Sequence, residues 1–205
     1  MAKIAIDVVL LPPKEIIEKS IELNRKYADE EQQLHPDDYV PHISLCMGAI
    51  KEEDLAKAKD ILKQIAKDFS NIHLTAKIRT YTSGNQKDSF EFIFEKNTEL
   101  QSLHEIIMKR LHPLLPYDIT SEMFFQPPPP RDTDIAWVKD YPGNSSFDKF
   151  HPHITLGYGI PDLSDNESFT FTASVLAVVQ LGKCGTCRKI ISSFNPSAHN
   201  PQSYP

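Results

Sequence analysis

The chain has 205 residues, of which 40% are hydrophobic and 24% charged, and its formal net charge at pH 7 is −6. This composition is typical of a soluble globular protein, and the length favours one domain of two related lobes. The acidic balance excludes broad, non-specific binding to a phosphate backbone, which needs a basic surface, so we expect no extended binding to DNA.

The first apolar stretch predicts a buried strand over residues 3–11, interrupted by Asp7. It is too short to span a membrane, and it lacks the cleavage pattern of a signal peptide. Three cysteines, an odd number without a secretory signal, fit a reducing compartment. We therefore expect a cytoplasmic protein with no membrane association.

Helix and strand patterns intermingle along the rest of the chain. The 3–4 spacing of apolar residues predicts helices over about 14–33, 52–69 and 99–111. Strands are predicted over about 42–48, 71–81, 89–95, 135–139, 152–159, 168–181 (one long strand or two short ones) and 186–194. Without the regular alternation of a parallel sheet, these elements favour an α+β fold with antiparallel sheets.

Three segments are predicted to lack regular structure. The proline-rich residues 113–134 are expected to be extended or looped, as a crossover between lobes or a flap over the site. Residues 141–144, with the sequence YPGN, predict a turn. The Pro-, Ser- and Asn-rich residues 195–205 are expected to form a disordered tail.

An eight-residue repeat is the most informative feature of the sequence. PHISLCMG at 41–48 and PHITLGYG at 152–159 agree at Pro, His, Ile, Leu and Gly, and both carry a hydroxyl residue two positions after the His. Internal repeats indicate copies of one structural unit. The repeat therefore predicts two equivalent strands, one in each lobe.

Side chains on a strand alternate between its faces. His42 would then share a face with Ser44, and His153 would share the equivalent face with Thr155. The opposite face of each strand is apolar and suits a core. Each repeat therefore presents one imidazole beside one hydroxyl, and we predict that these four residues form a catalytic site.

Alternation also predicts where the neighbours of the motifs lie. Cys46 falls on the face of Ser44, where a small, space-filling thiol is expected, and Tyr158 falls on the core face. Cys184 and Cys187 form a CxxC sequence in a predicted hairpin. A zinc site needs two further ligands, and none is evident nearby in the sequence, so we expect no metal there.

Two histidines with adjacent hydroxyls suit acid–base chemistry at a phosphate. Imidazole has an unperturbed pKa of about 6.5, so one histidine can accept a proton from the attacking group while the other donates one to the departing oxygen. Ser44 and Thr155 can donate hydrogen bonds to the non-bridging phosphoryl oxygens. This chemistry requires no cofactor and no metal, and it predicts a bell-shaped pH profile.

Four other residues are candidates for substrate binding. His151 adjoins the second motif and shares the parity of His153. Phe125 and Trp137 flank the proline-rich segment, where they can stack on a base. Arg131 can supply positive charge for the rest of a nucleotide.

The spaced pair of motifs, HIS at 42–44 and HIT at 153–155, resembles the 2H phosphoesterase superfamily, which includes the 2′-5′ RNA ligase/cyclic phosphodiesterase group. The resemblance implies one bilobal domain over residues 1–194, with two pseudo-symmetric antiparallel β-sheet lobes, flanking helices and a central cleft holding both motifs. By the same resemblance, His42 is the acid and His153 the base.

The resemblance also implies a substrate and a reaction. It implies metal-independent hydrolysis of 2′,3′-cyclic phosphates at RNA ends or in small cyclic nucleotides, and it leaves reversible 2′-5′ RNA ligation open. The expected partner is a small nucleotide or an RNA-end phosphodiester, bound by a monomer.

Two other interpretations remain open on the sequence. In the first, both histidines are ligands of a metal-dependent hydrolase, with Asp37 or Asp38 completing the site. In the second, the chain is a non-catalytic module that binds phosphate or RNA. Sensitivity to a chelator distinguishes the first interpretation, and binding without turnover distinguishes the second.

Overall fold

A computed structural model describes residues 2–29, 40–69, 71–82, 87–95, 97–162 and 168–195. Within these ranges the strands are β1 (Lys3–Leu11), β2 (Ile43–Lys51), β3 (Ile72–Thr82), β4 (Asp88–Phe94), β5 (His153–Tyr158), β6 (Phe169–Ala173), β7 (Val175–Leu181) and β8 (Cys187–Phe194). The helices are α1 (Lys14–Tyr27), α2 (Leu55–Asp68), α3 (Thr98–Leu111) and α4 (Asp132–Asn144).

The strands form two four-stranded sheets with the same internal plan. The first has the order β2-β1-β7-β8 and the second the order β5-β4-β3-β6, and neighbouring strands are antiparallel. In both sheets a motif strand lies at one edge, so the units β1-α1-β2 and β4-α3-β5 are equivalent. The predicted α+β, bilobal fold is confirmed.

The helices join the two lobes through a shared core. Helix α1 follows β1 of the first sheet but packs on β5 of the second, and α3 follows β4 but packs on β2. The main core cluster contains residues of both sheets, including the fully buried Phe90 and Phe92. Burial of one such side chain stabilises the fold by roughly 1.5–3 kcal/mol. Because each of these helices packs on the other sheet, the shared core holds the two lobes together.

Helix α4 corrects the prediction of a strand over 135–139 and of a turn at 141–144. Val138 and Tyr141, three residues apart, are both buried, whereas Trp137 is half exposed. The buried Asp134 caps the helix, because its carboxylate accepts a hydrogen bond from the backbone N–H of Arg131 at 2.9 Å. The short segment Ile-Ala-Trp-Val-Lys at 135–139 is therefore helical, as the spacing of the buried residues and the N-terminal cap require.

One element boundary differs from the prediction, and at residues 168–181 the structure has the second of the two predicted alternatives. Helix α1 ends at Tyr27, because Ala28 is already extended, whereas the prediction continued to about residue 33. Residues 168–181 form the two short strands β6 and β7, which belong to different sheets. Most of the predicted tail, residues 196–205, lies outside the described residues. Of the helices that the structure describes, none is both long and apolar enough to cross a membrane.

Candidate active site

The two motif strands meet where the sheets adjoin. β2 and β5 are the edge strands of their sheets, and they contact each other. His42 immediately precedes β2, and His153 begins β5. The two imidazoles interact electrostatically, since charge on His153 lowers the pKa of His42. The structure therefore brings both predicted histidines into one site.

Each motif strand contains a β-bulge at the same place. Leu45, the residue after Ser44, has no partner on β1, and Leu156, the residue after Thr155, has none on β4. A bulge inserts one residue and re-aims the side chains that follow it. The duplicated motif therefore includes a duplicated distortion of the backbone.

The bulges correct two predictions that rested on strict alternation. Cys46 pairs with Val8, so it lies on the opposite face from Ser44, and it is fully buried in the main core. Tyr158 lies on the same face as Thr155, where it contributes to raising the pKa of Arg131 through a side-chain hydrogen bond. Cys46 is thus a small thiol packed in the core, and the face predicted for it is wrong.

Buried polar side chains from the two equivalent helices hold the bulges in place. Asn24 of α1 donates to the carbonyl of Leu156 at 2.5 Å, and His104 of α3 donates from Nδ1 to the carbonyl of Leu45 at 2.8 Å. Nε2 of His104 accepts a hydrogen bond from the backbone N–H of Phe147 at 2.8 Å. His104 thereby connects the first motif to the loop that leads into the second.

The two motif imidazoles are oriented in the same way. Nδ1 of His42 donates to the carbonyl of Val40 at 2.8 Å, and Nδ1 of His153 donates to the carbonyl of His151 at 2.9 Å. A carbonyl oxygen can only accept, so the proton resides on Nδ1 in each neutral ring. Both Nε2 atoms are therefore left to accept or release a proton.

The first half of the site contains a buried carboxyl group that sequence reasoning did not assign to it. Asp7 is fully buried on β1, and its Oδ2 lies 3.9 Å from Nε2 of His42. Burial raises the pKa of Asp7 to about 8, and the Ser44 hydroxyl offsets this only in part. Burial also lowers the pKa of His42 to about 4. A single acidic residue in an otherwise apolar strand was the signal for this group.

The second half of the site contains a charged row across the sheet. Arg79 of β3 donates from Nε and Nη2 to Oε1 of the buried Glu91 at 3.1 and 2.5 Å. Glu91 pairs with Thr155, and Nη1 of Arg79 lies 3.3 Å from Nε2 of His151. The pKa of His151 is lowered by burial and by the charges of Arg79 and His153. Sequence reasoning missed Arg79 and Glu91, because only the strand register brings them to the motif.

Two groups of side chains place possible metal-binding atoms within 4.8 Å of one another: Asp7, His42 and Cys187, and Glu91, His151 and His153. In the first group, burial raises the pKa of both the carboxyl and the thiol, which favours their protonated, non-coordinating forms. In the second, the carboxylate is already bound by the Arg79 guanidinium. Both groups are thus poorly suited to a cation. Asp37 and Asp38 lie outside the described residues.

The predicted substrate-binding residues have different surroundings. His151 is exposed, with its ring centroid 6.0 Å from that of His153. Arg131 forms an ion pair with Asp134 and reaches β5 through its hydrogen bond with Tyr158. The ring of Phe125 faces the Arg188 guanidinium at 5.4 Å, and Trp137 is half exposed on α4. Of these four, His151 is the one that the structure places beside a motif histidine, and a role in binding stays a prediction for all of them.

Comparison with known proteins identified similar solved structures. TT0787 of Thermus thermophilus aligns with a TM-score of 0.58 at 16% identity, over 96% of this chain and 100% of that one. E. coli LigT complexed with NADP+ and with 3′-AMP align with TM-scores of 0.51 and 0.50, both at 13% identity and over 96% of this chain and 100% of the other. No family model and no curated protein matched. At 13–16% identity, these likenesses show that the chain shares its fold with these proteins.

Proposed function

We propose that this chain, which has the 2H phosphoesterase fold, is a metal-independent phosphodiesterase that hydrolyses 2′,3′-cyclic phosphates by acid–base catalysis. The observation that carries the proposal is the matched pair of imidazoles. His42 and His153 adjoin at the meeting edge of the two sheets, and each is fixed through Nδ1 to a backbone carbonyl. Two pre-oriented Nε2 atoms are what a one-step displacement at phosphorus requires.

The reaction follows from the places of the four motif residues. One imidazole accepts a proton from water as the water oxygen forms a bond to phosphorus. The other donates a proton to the ribose oxygen whose bond to phosphorus breaks. Ser44 and Thr155 stand two residues after the histidines, and their hydroxyls donate to the non-bridging oxygens as charge accumulates there. Each proton transfer contributes a rate factor of about 10²–10⁴.

The open face of the second sheet supports an RNA end as the substrate. Lys77, Arg79 and Tyr81 alternate along β3 on the face that His153 and Thr155 occupy on β5. Strands β3 and β5 lie on either side of β4, so about 10 Å separates these three side chains from the motif residues of β5. Two cations and a half-exposed aromatic ring suit a phosphate and a base adjacent to the reacting phosphate. A cyclic mononucleotide has no group to place there.

The test is to compare two substrates in excess EDTA: a short oligoribonucleotide ending in a 2′,3′-cyclic phosphate and the corresponding cyclic mononucleotide. We expect hydrolysis of both, with higher kcat/KM for the oligonucleotide, and chromatography of the products identifies which ester bond is cleaved. An oligonucleotide with a free 3′-hydroxyl serves as the control and should remain intact. Equal kcat/KM values would contradict the RNA-end assignment, and absence of turnover on both substrates would contradict the proposed activity.

A further inference from the structure

The two halves of the site share a backbone plan but differ in charge. Asp7 and Ser89 occupy equivalent places, since each lies two residues before the residue that pairs with the motif hydroxyl residue. Both are buried, yet only Asp7 can carry a negative charge. At the pairing position itself, the first half has Val9 and the second has Glu91. These differences break the symmetry between the two histidines.

The carboxyl of Asp7 is unusual because it is fully buried and poorly hydrogen-bonded. Neither oxygen has a hydrogen-bond partner at normal geometry among the described residues. The Ser44 hydroxyl and the backbone N–H groups of Cys46 and Leu45 interact with it and offset only part of the rise in pKa that burial causes. In the same part of the chain, His42 is the one basic group within 4.0 Å of the carboxyl, with 3.9 Å between Nε2 and Oδ2. An ionised carboxylate in such a place is strongly disfavoured unless a positive charge adjoins it. A proton on either Asp7 or His42 removes that penalty.

Four other titratable groups face this pair. Three are buried, namely Cys46 on β2, Tyr141 on α4 and Cys187 on β8, and the fourth is His153 on β5, where charge lowers the pKa of His42. Burial raises the pKa of both thiols and of the Tyr141 phenol, so these three groups stay neutral near pH 7. The proton that compensates the Asp7 carboxyl is therefore held between Asp7 and His42.

We propose that Asp7 is a positioning residue that makes His42 the general acid, because the buried carboxyl and the His42 imidazole together hold one proton that His42 delivers to the leaving oxygen. This inference rests on the proposed phosphodiesterase function. It gives a structural cause, the buried Asp7 carboxyl, for the difference in roles between two histidines that share one backbone plan.

Among the residues that the structure describes, the second half of the site has no buried carboxyl that shares a proton with its motif histidine. Glu91 is the corresponding carboxylate, but Arg79 already neutralises it through two hydrogen bonds. Nη1 of Arg79 also lies 3.3 Å from Nε2 of His151, so an ion pair adjoins this side of the site. Among the described residues, this half contains no buried carboxyl without a partner, and the role of base therefore falls to His153.

The proton balance of one turnover closes with these roles. Water loses a proton to Nε2 of His153 and its oxygen bonds to phosphorus, while the Nε2 proton of His42 passes to the ribose oxygen whose bond to phosphorus breaks. The Asp7–His42 pair then regains one proton from solvent, and His153 releases one. The product is a phosphate monoester with a free neighbouring hydroxyl.

The experiment is the pH dependence of kcat/KM for cyclic-phosphate hydrolysis in EDTA, for wild type, Asp7→Asn and Asp7→Ser. Asp7→Ser installs the side chain found at the equivalent position of the other half, and it covers the case in which the amide of Asp7→Asn disturbs folding. We expect both variants to lose activity at pH 8 by about 10²–10⁴ and to show an optimum shifted to lower pH. Cys187→Ser, which alters a neighbour of the pair that takes no part in the reaction, should retain the wild-type profile.

A second readout separates failure of this inference from failure of the proposed function. NMR titration of the His42 imidazole needs no turnover, and in the wild type it should show a proton released near pH 8, at the raised pKa of Asp7. Asp7→Asn should abolish that step. Identical rate profiles in wild type and both Asp7 variants, or His42 titration unchanged by Asp7→Asn, would overturn the inference. An inactive wild type with the expected titration would refute only the proposed reaction.

Discussion

Asp7→Asn removes a buried titratable carboxyl while nearly conserving its volume, so its effect on the free energy of unfolding should depend on pH. On folding, the pKa of Asp7 rises from 3.8 to about 8, mainly because the buried carboxyl loses its hydration. As the pH rises, the unfolded chain therefore loses the Asp7 proton at a lower pH than the folded chain does. A group of this kind contributes stability that is complete below about pH 4 and is lost as the pH rises to about 8.

The magnitude of this loss is large on the scale of a domain. A pKa change of this size corresponds to a loss on the order of 5 kcal/mol across the pH window, against a typical total stability of about 5–15 kcal/mol. The pKa of His42 moves the other way, from 6.5 to about 4, and Asp7→Asn also changes the surroundings of this imidazole. The difference between the two proteins therefore reports on the Asp7–His42 pair, with the Asp7 carboxyl as the group that is removed.

Urea denaturation followed by circular dichroism at pH 4.5, 6, 7 and 8 measures the effect. Relative to wild type, Asp7→Asn should become more stable at each step towards pH 8. The matched control is Asp118→Asn. Asp118 is an exposed carboxylate paired with Lys3, and this contact lowers the pKa of Asp118, so the stability that Asp118 contributes is lost as the pH falls. Parallel stability curves for wild type and Asp7→Asn would refute the assignment of a raised pKa.

Three further substitutions test the support of the site. His104→Ala leaves the buried carbonyl of Leu45 and the partly buried amide of Phe147 without this partner, and the buried carbonyl alone should cost about 1–3 kcal/mol. Denaturation should show the loss of stability, and kcat should be lower. Gly159 has φ +150°, and a Cβ at this position would overlap a carbonyl at the end of α1, so Gly159→Ala should lower the free energy of unfolding by about 3 kcal/mol or more. Gly185 has φ +66° and open space around it, so Gly185→Ala should lower the free energy of unfolding by about 1 kcal/mol. Arg79→Met should raise KM for the oligonucleotide substrate and destabilise the fold. In the Arg79→Met background, Glu91→Gln should restore stability, because it removes the buried carboxylate that Arg79→Met leaves unpaired. KM should stay raised, and a return of KM to the wild-type value would contradict a role for Arg79 in binding.

Much of the fold could be predicted from the sequence because the signals were local and repeated. The motif strands, the long amphipathic α2 and the α+β class all follow from patterns within about 20 residues. The strand prediction over 135–139 was wrong because a segment of five residues is too short to show the helical spacing of Val138 and Tyr141. A longer window favours the helix, since both residues lie on its buried side.

The candidate site was only half visible in the sequence. The repeat identified the histidines and hydroxyl residues, but strict alternation could not reveal the two bulges. The bulge at Leu45 moves Cys46 away from the face of the site, and the bulge at Leu156 brings Tyr158 onto it. Asp7 reaches His42 through the pairing of two strands that lie more than 30 residues apart in the chain. Such contacts depend on register, which one sequence without a structure does not specify.

The most direct measurement is kcat/KM for a 2′,3′-cyclic phosphate in excess EDTA, for wild type, His42→Ala, His153→Ala and the double variant. We expect activity to survive the chelator and to fall by about 10²–10⁴ in each single variant, with a less than multiplicative further loss in the double variant because the two imidazoles act as a unit. Circular dichroism of all four proteins controls for folding. Loss of wild-type activity on chelation, or full activity in either single variant, would contradict metal-independent catalysis by the two histidines.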